Sequence, residues 1–339
     1  MIKIVLDAMG GDNAPVETIA GAIKAINDNK DMHVVLSGKT ELIQQELAKY
    51  KYDEAQISIL EADEIITNDE SPTMAIKTKK NSSLVKAFDL ALNDNDVVGL
   101  VSAGSTGAVL TGGFLKFGRM KGIFRPALCP VMPTMDGSNV SICDCGANMD
   151  CKPEYLEQFA IMGSAYHKVL GKENPRVALL NVGTEDHKGD TRTKETFALL
   201  KENKNINFVG NMEARDALIG EYDVIVTDGF AGNVLLKSME GTLKSFLKVL
   251  KNEIQSSVSS KFGYIFMRKT FKKIKKQFDY NQYGGAVLLG CKKLLVKAHG
   301  SSKSDSFAVC LNQVYNMHKG DLIGKITDAL STTGVVGNE

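Results

Sequence analysis

Six short strings carry the residue types that a ligand site needs. They are Asp7-Ala8-Met9-Gly10-Gly11-Asp12-Asn13-Ala14-Pro15, Ser102-Ala103-Gly104-Ser105-Thr106-Gly107-Ala108, Asp144-Cys145-Gly146-Ala147-Asn148, Asn181-Val182-Gly183-Thr184-Glu185-Asp186-His187-Lys188-Gly189, Thr227-Asp228-Gly229-Phe230-Ala231-Gly232-Asn233 and Tyr283-Gly284-Gly285-Ala286. Most follow an apolar, β-branched run, and most set Gly beside Asp, Asn, Ser or Thr. Such turns sit at the carboxyl ends of strands, where an open α/β sheet binds its ligand. Glycine lets backbone approach the ligand, and the polar neighbours supply hydrogen bonds.

The strings suit an anion and a reactive carbonyl. The turn 102–108 leads from a strand into a helix of small residues, so Ser105, Thr106 and Gly107 can offer backbone amides to phosphate; the plainer reading is a well-capped βα turn. Lys188, flanked by glycine after an acidic pair, can bind phosphate as a point charge, or it is a solvated surface lysine. His187 can shuttle a proton or sit idle in solvent. Asn233 can offer its amide to an oxyanion or phosphate, or cap the helix that follows, 234–240. Asp12 can cap the first helix or orient a ligand group; Asn13, Asn148 and Asp228 belong to turns of the same kind. The string 283–286 is expected to open a helix.

Several chemistries are excluded by pattern. Neither G-x-x-x-x-G-K-[ST] nor G-x-G occurs, so neither a P-loop nor the dinucleotide fingerprint is present. Asp228-Gly229-Phe230 has no accompanying kinase motifs. No G-x-S-x-G elbow exists, so direct attack by a bound nucleophile is favoured over an acyl-enzyme. Cys143, Cys145 and Cys151 have the spacing C-x-C-x5-C, which is not a zinc pattern, and the six cysteines read as reduced thiols on and near a buried strand. No metal or cofactor is expected.

Those turns need strands behind them. Strand candidates recur at 2–6, 33–37, 57–61, 97–101, 140–143, 177–181, 207–210 and 224–227, with helices at 16–27, 82–92 and 154–170 between them, which is the signature of successive βα units. With 43% hydrophobic residues in 339, the chain can bury a full core, and its net charge of +1 excludes bulk polyelectrolyte attraction, so any basic surface must be local; no nucleic-acid partner is expected. Its apolar runs are of strand length, too short to span a bilayer. Asp7 follows the first apolar run too soon for a signal peptide, so a cytoplasmic location is expected. One stretch breaks the alternation. From Lys237 to Phe278 no strand is legible, and eleven lysines and arginines face two glutamates, a local excess of nine positive charges. Apolar residues interleave with them, so the stretch reads as a helical hairpin with a basic surface and an apolar tip.

Taken in order, the six strings together with Lys297-Ala298-His299-Gly300-Ser301-Ser302 closely resemble the PlsX family of acyl-[acyl-carrier-protein]:phosphate acyltransferases, from Ile2 to about Ser306. Ser105 stands where that family commonly carries Asn. The resemblance implies a three-layer α/β/α fold like that of isocitrate and isopropylmalate dehydrogenases, shared with phosphotransacetylases, and a homodimer. It implies one catalytic domain over 1–331, with a central cleft and the hairpin inserted at about 237–280, and a flexible tail over 332–339. The implied reaction is fatty acyl-ACP plus inorganic phosphate giving acyl phosphate and free acyl carrier protein, in membrane phospholipid synthesis. The product would pass to a membrane glycerol-3-phosphate acyltransferase (PlsY). The resemblance carries Lys188 and Asn233 over as functional residues; the reading of the strings themselves sets Asp12, Asn13, Ser105, Thr106, Gly107, Asn148, Asp228, His187 and His299 around phosphate and substrate. Lys248, Lys251, Phe262, Tyr264, Phe266, Arg268 and Lys272 are assigned to contact with acyl carrier protein or with an anionic membrane, giving peripheral association with the inner face of the cell membrane; the plainer reading of the hairpin is a dimerisation arm with a solvated lysine face. Three rival readings are a phosphotransacetylase using acyl-CoA, a non-catalytic membrane scaffold, and an NAD-dependent dehydrogenase allowed by fold analogy alone.

Overall fold

The first strand sets the pattern for the rest. Ile4, Val5 and Leu6 are wholly buried, yet Ile4 and Leu6 join one apolar cluster and Val5 another. A strand buried on both faces needs a covering layer on each, the condition that produces a helix-sheet-helix sandwich. The computed structural model describes residues 1–278 and 280–331, with the backbone alone at 275, 276, 280 and 281. The expected tail at 332–339 lies outside the described residues.

In chain order the elements are β1 (Ile2–Asp7), α1 (Val16–Asp28), β2 (Met32–Gly38), α2 (Thr40–Leu47), β3 (Ile57–Glu61), α3 (Pro72–Thr78), α4 (Ser83–Asn93), β4 (Val97–Ser102), α5 (Thr106–Gly112), β5 (Ala127–Cys129), β6 (Val131–Pro133) and β7 (Asn139–Cys143). There follow α6 (Pro153–Val169), β8 (Arg176–Asn181), α7 (Thr191–Glu202), β9 (Asn207–Glu213), β10 (Val224–Val226), α8 (Gly229–Ser256), α9 (Val258–Gln277), β11 (Ala286–Leu289), β12 (Leu294–Lys297), α10 (Ser304–Lys319) and α11 (Leu322–Ser331).

The strands form two sheets. One has the order β3-β2-β1-β4-β12-β11-β5 and is parallel from β3 to β12, with β11 running antiparallel to both β12 and β5 at its end. The other has the order β6-β7-β10-β8-β9 and is parallel except for β6. Helices α1 and α10 share one core cluster with Ile4 and Leu6, while α4 and α5 pack with Val5 on the opposite face. The same large cluster continues through α6 to Val177, Val224 and Val226 of the second sheet, so one core joins both sheets.

The eight expected strands and three expected helices all form, each within a few residues of its predicted bounds. Residues 237–256 and 258–277 are indeed helical, as the far part of α8 and all of α9. Four short strands escaped the sequence. β5, β6, β11 and β12 have three or four residues each, too few for a period to declare itself. The expected helix after Tyr283 is therefore β11, whose Val287 pairs with Val296 on one side and Cys129 on the other. Asp12 does not cap α1; its N-cap position is Pro15, which makes no side-chain cap bond. All six cysteines are buried and free, and Cys143 and Cys145 point into different core clusters.

Candidate functional site

Strand ends come together first through a buried carboxylate. Ser102 Oγ, at the end of β4, donates to Asp7 Oδ2 at 2.7 Å, and Gly104 N donates to Ser102 Oγ at 3.1 Å. Burial pushes the Asp7 carboxyl up from its ordinary range, while hydrogen bonding to the Ser83 and Ser102 side chains and to the Met9 and Gly10 backbone pulls it down. A Cβ on Gly10 would fall 2.5 Å from Asp7 Oδ2 and 2.8 Å from Gly104 N, so only glycine lets the two turns lie this close. The first turn is also tied to the segment after β12. Asp12 N donates to Gly300 O at 2.8 Å, and Asn13 Nδ2 reaches Ser301 O at 3.4 Å and Ser302 O at 3.3 Å.

A second carboxylate shapes the turn after β7. Asp144 Oδ1 accepts from Leu128 N and Cys145 N, each at 2.7 Å, and its Oδ2 accepts from Asn148 N at 2.6 Å and Asn148 Nδ2 at 3.0 Å. Asn148 Nδ2 also donates to Pro126 O at 2.8 Å. Asn148 is thus a brace for its own turn. Helix α8 begins against that turn. Asp228 is its N-cap, accepting from Ala231 N at 2.8 Å, and its other oxygen pairs with Arg192 Nη2 at 2.7 Å. The capping role open to Asn233 therefore belongs to Asp228, and Asn233 stands exposed about one turn into the helix.

These turns surround a cavity of about 360 Å³. Thr106, Cys145, Gly146, Asn233, Gly284, Gly285 and His299 line it, so four of the six strings and the segment after β12 meet there, and the string at Asp7 braces them from behind. Leu128, Val131, Met132 and Leu236 make part of the wall apolar. Three charged lining residues were not singled out as site residues from the sequence: Lys237 and Glu240, paired at 2.9 Å on α8, and Lys297 at the end of β12. A lysine ending the apolar run Leu294-Leu295-Val296 is the signal that could have found Lys297. His299 Nδ1 lies 2.8 Å from Ser301 Oγ, and burial lowers its pKa below the usual imidazole value.

The remaining string, 181–189, does not line the cavity. Lys188 lies against Gly183, whose added Cβ would meet Lys188 Cγ at 3.1 Å, and Asn181 Nδ2 donates to Lys188 O at 3.1 Å. His187 is exposed on the same loop. This loop leads into α7, whose Arg192 holds the N-cap of α8, so it is joined to the helix that carries Asn233. Ser105 and Gly107 also lie off the cavity wall, and Gly107 packs on Pro72. Among the described residues no group of three or more His, Cys, Asp or Glu could hold a metal ion.

Helices α8 and α9 form the expected hairpin. Lys248, Lys251, Tyr264, Arg268 and Lys272 line a groove of about 820 Å³ between them, with Leu247, Leu250 and Phe271. Phe262 and Phe266 lie outside it, 63% and 87% exposed. Among the described residues no helix is long and apolar enough to cross a membrane.

This fold has solved counterparts. A phosphotransacetylase from Streptococcus pyogenes superposes with a TM-score of 0.60 at 16% identity, covering 94% of each chain. The 4-hydroxythreonine-4-phosphate dehydrogenase from Klebsiella pneumoniae gives 0.52 at 14%, covering 94% of this chain and 99% of that one. At such identities the likeness is one of fold, and it matches the expected dehydrogenase-like three-layer architecture. Sequence relatives are much nearer. The chain is 47% identical over 330 residues to a phosphate acyltransferase of Clostridium tetani, covering 97% of this chain and 98% of the relative. It is 45% identical to a phosphate acyltransferase of Clostridium acetobutylicum, covering 96% and 98%. Residues 2–325 match the family described as fatty acid synthesis protein. The chain belongs to that family, and with its phosphate acyltransferase relatives it is a transferase enzyme.

Proposed function

We propose that the cavity joins inorganic phosphate to the acyl group of a fatty acyl-[acyl carrier protein], releasing acyl phosphate and the free carrier for phospholipid synthesis. The observation that carries this reading is the meeting of four glycine-bearing strings at one cavity whose wall is part apolar and part cationic. A phosphate oxygen attacks the thioester carbonyl carbon and a C–O bond forms. The tetrahedral oxyanion collapses, the C–S bond breaks, and the electron pair leaves on sulfur. Phosphate is already an anionic nucleophile, and a thiol of pKa about 8.5 leaves as thiolate with little acid help. What remains is to hold the reactants together, worth roughly 7 to 11 kcal/mol, and to stabilise the oxyanion.

In this reading Asn233 donates its amide to the oxyanion or to phosphate, and Thr106 stands at the same wall. Lys188 brings positive charge from the loop that Arg192 ties to α8. Asp12, Asn13, Asn148 and Asp228 hold the turns in place, with His187 and His299 as lesser contributors. The basic hairpin docks the acidic carrier protein and rests its exposed aromatic residues on an anionic membrane, where a membrane glycerol-3-phosphate acyltransferase takes the product. The working unit is a homodimer.

The test traps acyl phosphate with hydroxylamine after incubation with phosphate and either acyl-[acyl carrier protein] or acyl-CoA. Hydroxamate that needs both phosphate and the carrier-bound donor supports the reading. Equal use of short acyl-CoA favours a phosphotransacetylase, and absence of hydroxamate with every donor refutes acyl transfer to phosphate. Lys188→Ala with an unchanged rate over the phosphate range removes Lys188 from the mechanism.

A further inference from the structure

A row of polar side chains crosses the strand ends beneath the cavity. Asp7 of β1 stands opposite Ser37 of β2, and Lys297 of β12 stands opposite Ser102 of β4, whose hydroxyl donates to Asp7. Lys297 lines the cavity yet is only 9% exposed. Its Nζ donates to Ala298 O and forms no ion pair with any described residue. An ammonium has three donors, so the cavity wall holds a desolvated cation with spare hydrogen-bonding capacity. A buried charge without a counter-ion works against folding, and sites that keep one do so for a ligand.

We infer that Lys297 is the buried cation that receives phosphate in this cavity, its ammonium donating to the phosphate oxygens while Ser102 and Asp7 fix the strand ends behind it. The inference deepens the proposed acyl transfer and rests on it. The charged or titratable groups around Lys297 are Asp7 on β1, Asp12 on the following turn, Lys237 and Glu240 on α8, Cys310 on α10 and His299 just beyond it. None of the carboxylates is within ion-pair distance, and burial draws the Lys297 pKa down to about 8. An anion at Nζ favours the charged form, so phosphate binding takes up a proton in the alkaline range.

Lys297→Met keeps the length of the side chain and removes the charge. The full-length variant is expected to melt no lower than wild type, because it loses an uncompensated buried cation. Its phosphate KM is expected to rise at least about tenfold, the scale of one lost charge-assisted hydrogen bond, with the acyl-donor KM unchanged. The rise in Tm that inorganic phosphate gives wild type is expected to vanish. A folded Lys297→Met enzyme with wild-type phosphate KM and wild-type phosphate-induced Tm shift overturns the inference while leaving acyl transfer standing. A wild type that makes no acyl phosphate refutes the activity itself, and with it this assignment. Should Lys297→Met not fold, Lys297→Arg decides. The guanidinium stays charged from about pH 7.5 to 9.5, so its phosphate KM should stay flat where that of wild type climbs. A parallel climb in both enzymes overturns the assignment.

Discussion

Gly232 is the position where one added methyl group should do most damage to the site. An added Cβ would lie 2.9 Å from Thr227 Cγ2 and 3.1 Å from the carbonyl carbon of Asp144, and nearer still to the Asp144 carbonyl oxygen. Neither partner can yield easily. Asp144 N donates to Thr227 O at 2.9 Å and Thr227 N to Cys143 O at 2.9 Å, so both belong to the β7–β10 ladder end. The start of α8 must therefore move away, carrying Asn233, the next residue. Overpacking of this kind costs about 1 to 3 kcal/mol. It is offset by the roughly 0.5 to 1 kcal/mol that alanine gains over glycine inside a helix, leaving a net loss of up to about 2.5 kcal/mol. Activity should suffer more, since a displacement near 1 Å costs about a hundredfold. Gly241→Ala is the matched control, on the same helix with nothing within 4 Å of its added Cβ. Urea unfolding and hydroxamate trapping on both variants test this. Gly241→Ala should be as active as wild type and slightly more stable. If Gly232→Ala keeps wild-type rate and stability, the close packing of α8 on the Asp144 turn does not position the site.

Three further outcomes are expected. Asn233→Ala should lower kcat by about a hundred- to a thousandfold, the cost of one oxyanion donor, with little change in Tm; a loss under threefold would take Asn233 out of the chemistry. His167 is buried with Nε2 at 3.0 Å from Ser141 Oγ, and burial lowers its pKa from 6.5 to about 4. A base depressed in the folded state supports stability fully above pH 6.5 and loses that support as pH falls toward 4, so about 2 kcal/mol should disappear between pH 7.5 and pH 5; in His167→Gln, urea midpoints should show a shallower slope, and an identical slope would exonerate His167. Finally, full-length protein should float with anionic vesicles at low salt, and Phe262→Ser with Phe266→Ser should abolish flotation while leaving soluble-donor turnover intact. Equal flotation of both proteins would move the contact away from the hairpin tip.

Much of the architecture was legible because it rests on local pattern. Runs such as Ile2–Asp7 and Arg176–Asn181 declare strands, whereas the start of α8 was set by Asp228, several residues before the expected helix, because its carboxylate caps Ala231 N. The hairpin was legible from its charge excess and interleaved aromatics. The shortest strands were not, because Ala286–Leu289 is stabilised by its two neighbours rather than by its own periodicity. The ordering of strands was likewise beyond reach, since β12 inserts between β4 and β11 from some two hundred residues away.

The candidate site divides in the same way. Residue types and glycine spacing by themselves marked the turns, four of which meet at one cavity, because close backbone approach and hydrogen-bonding side chains are local requirements. Which turns share a cavity was decided by tertiary structure. Folding brought Thr106, Gly146, Asn233 and His299 to one wall and kept the loop of Lys188 off it. It also turned Lys297, in sequence an ordinary strand-end lysine, into a buried cation, because solvation depends on what packs around a side chain and not on its neighbours in the chain.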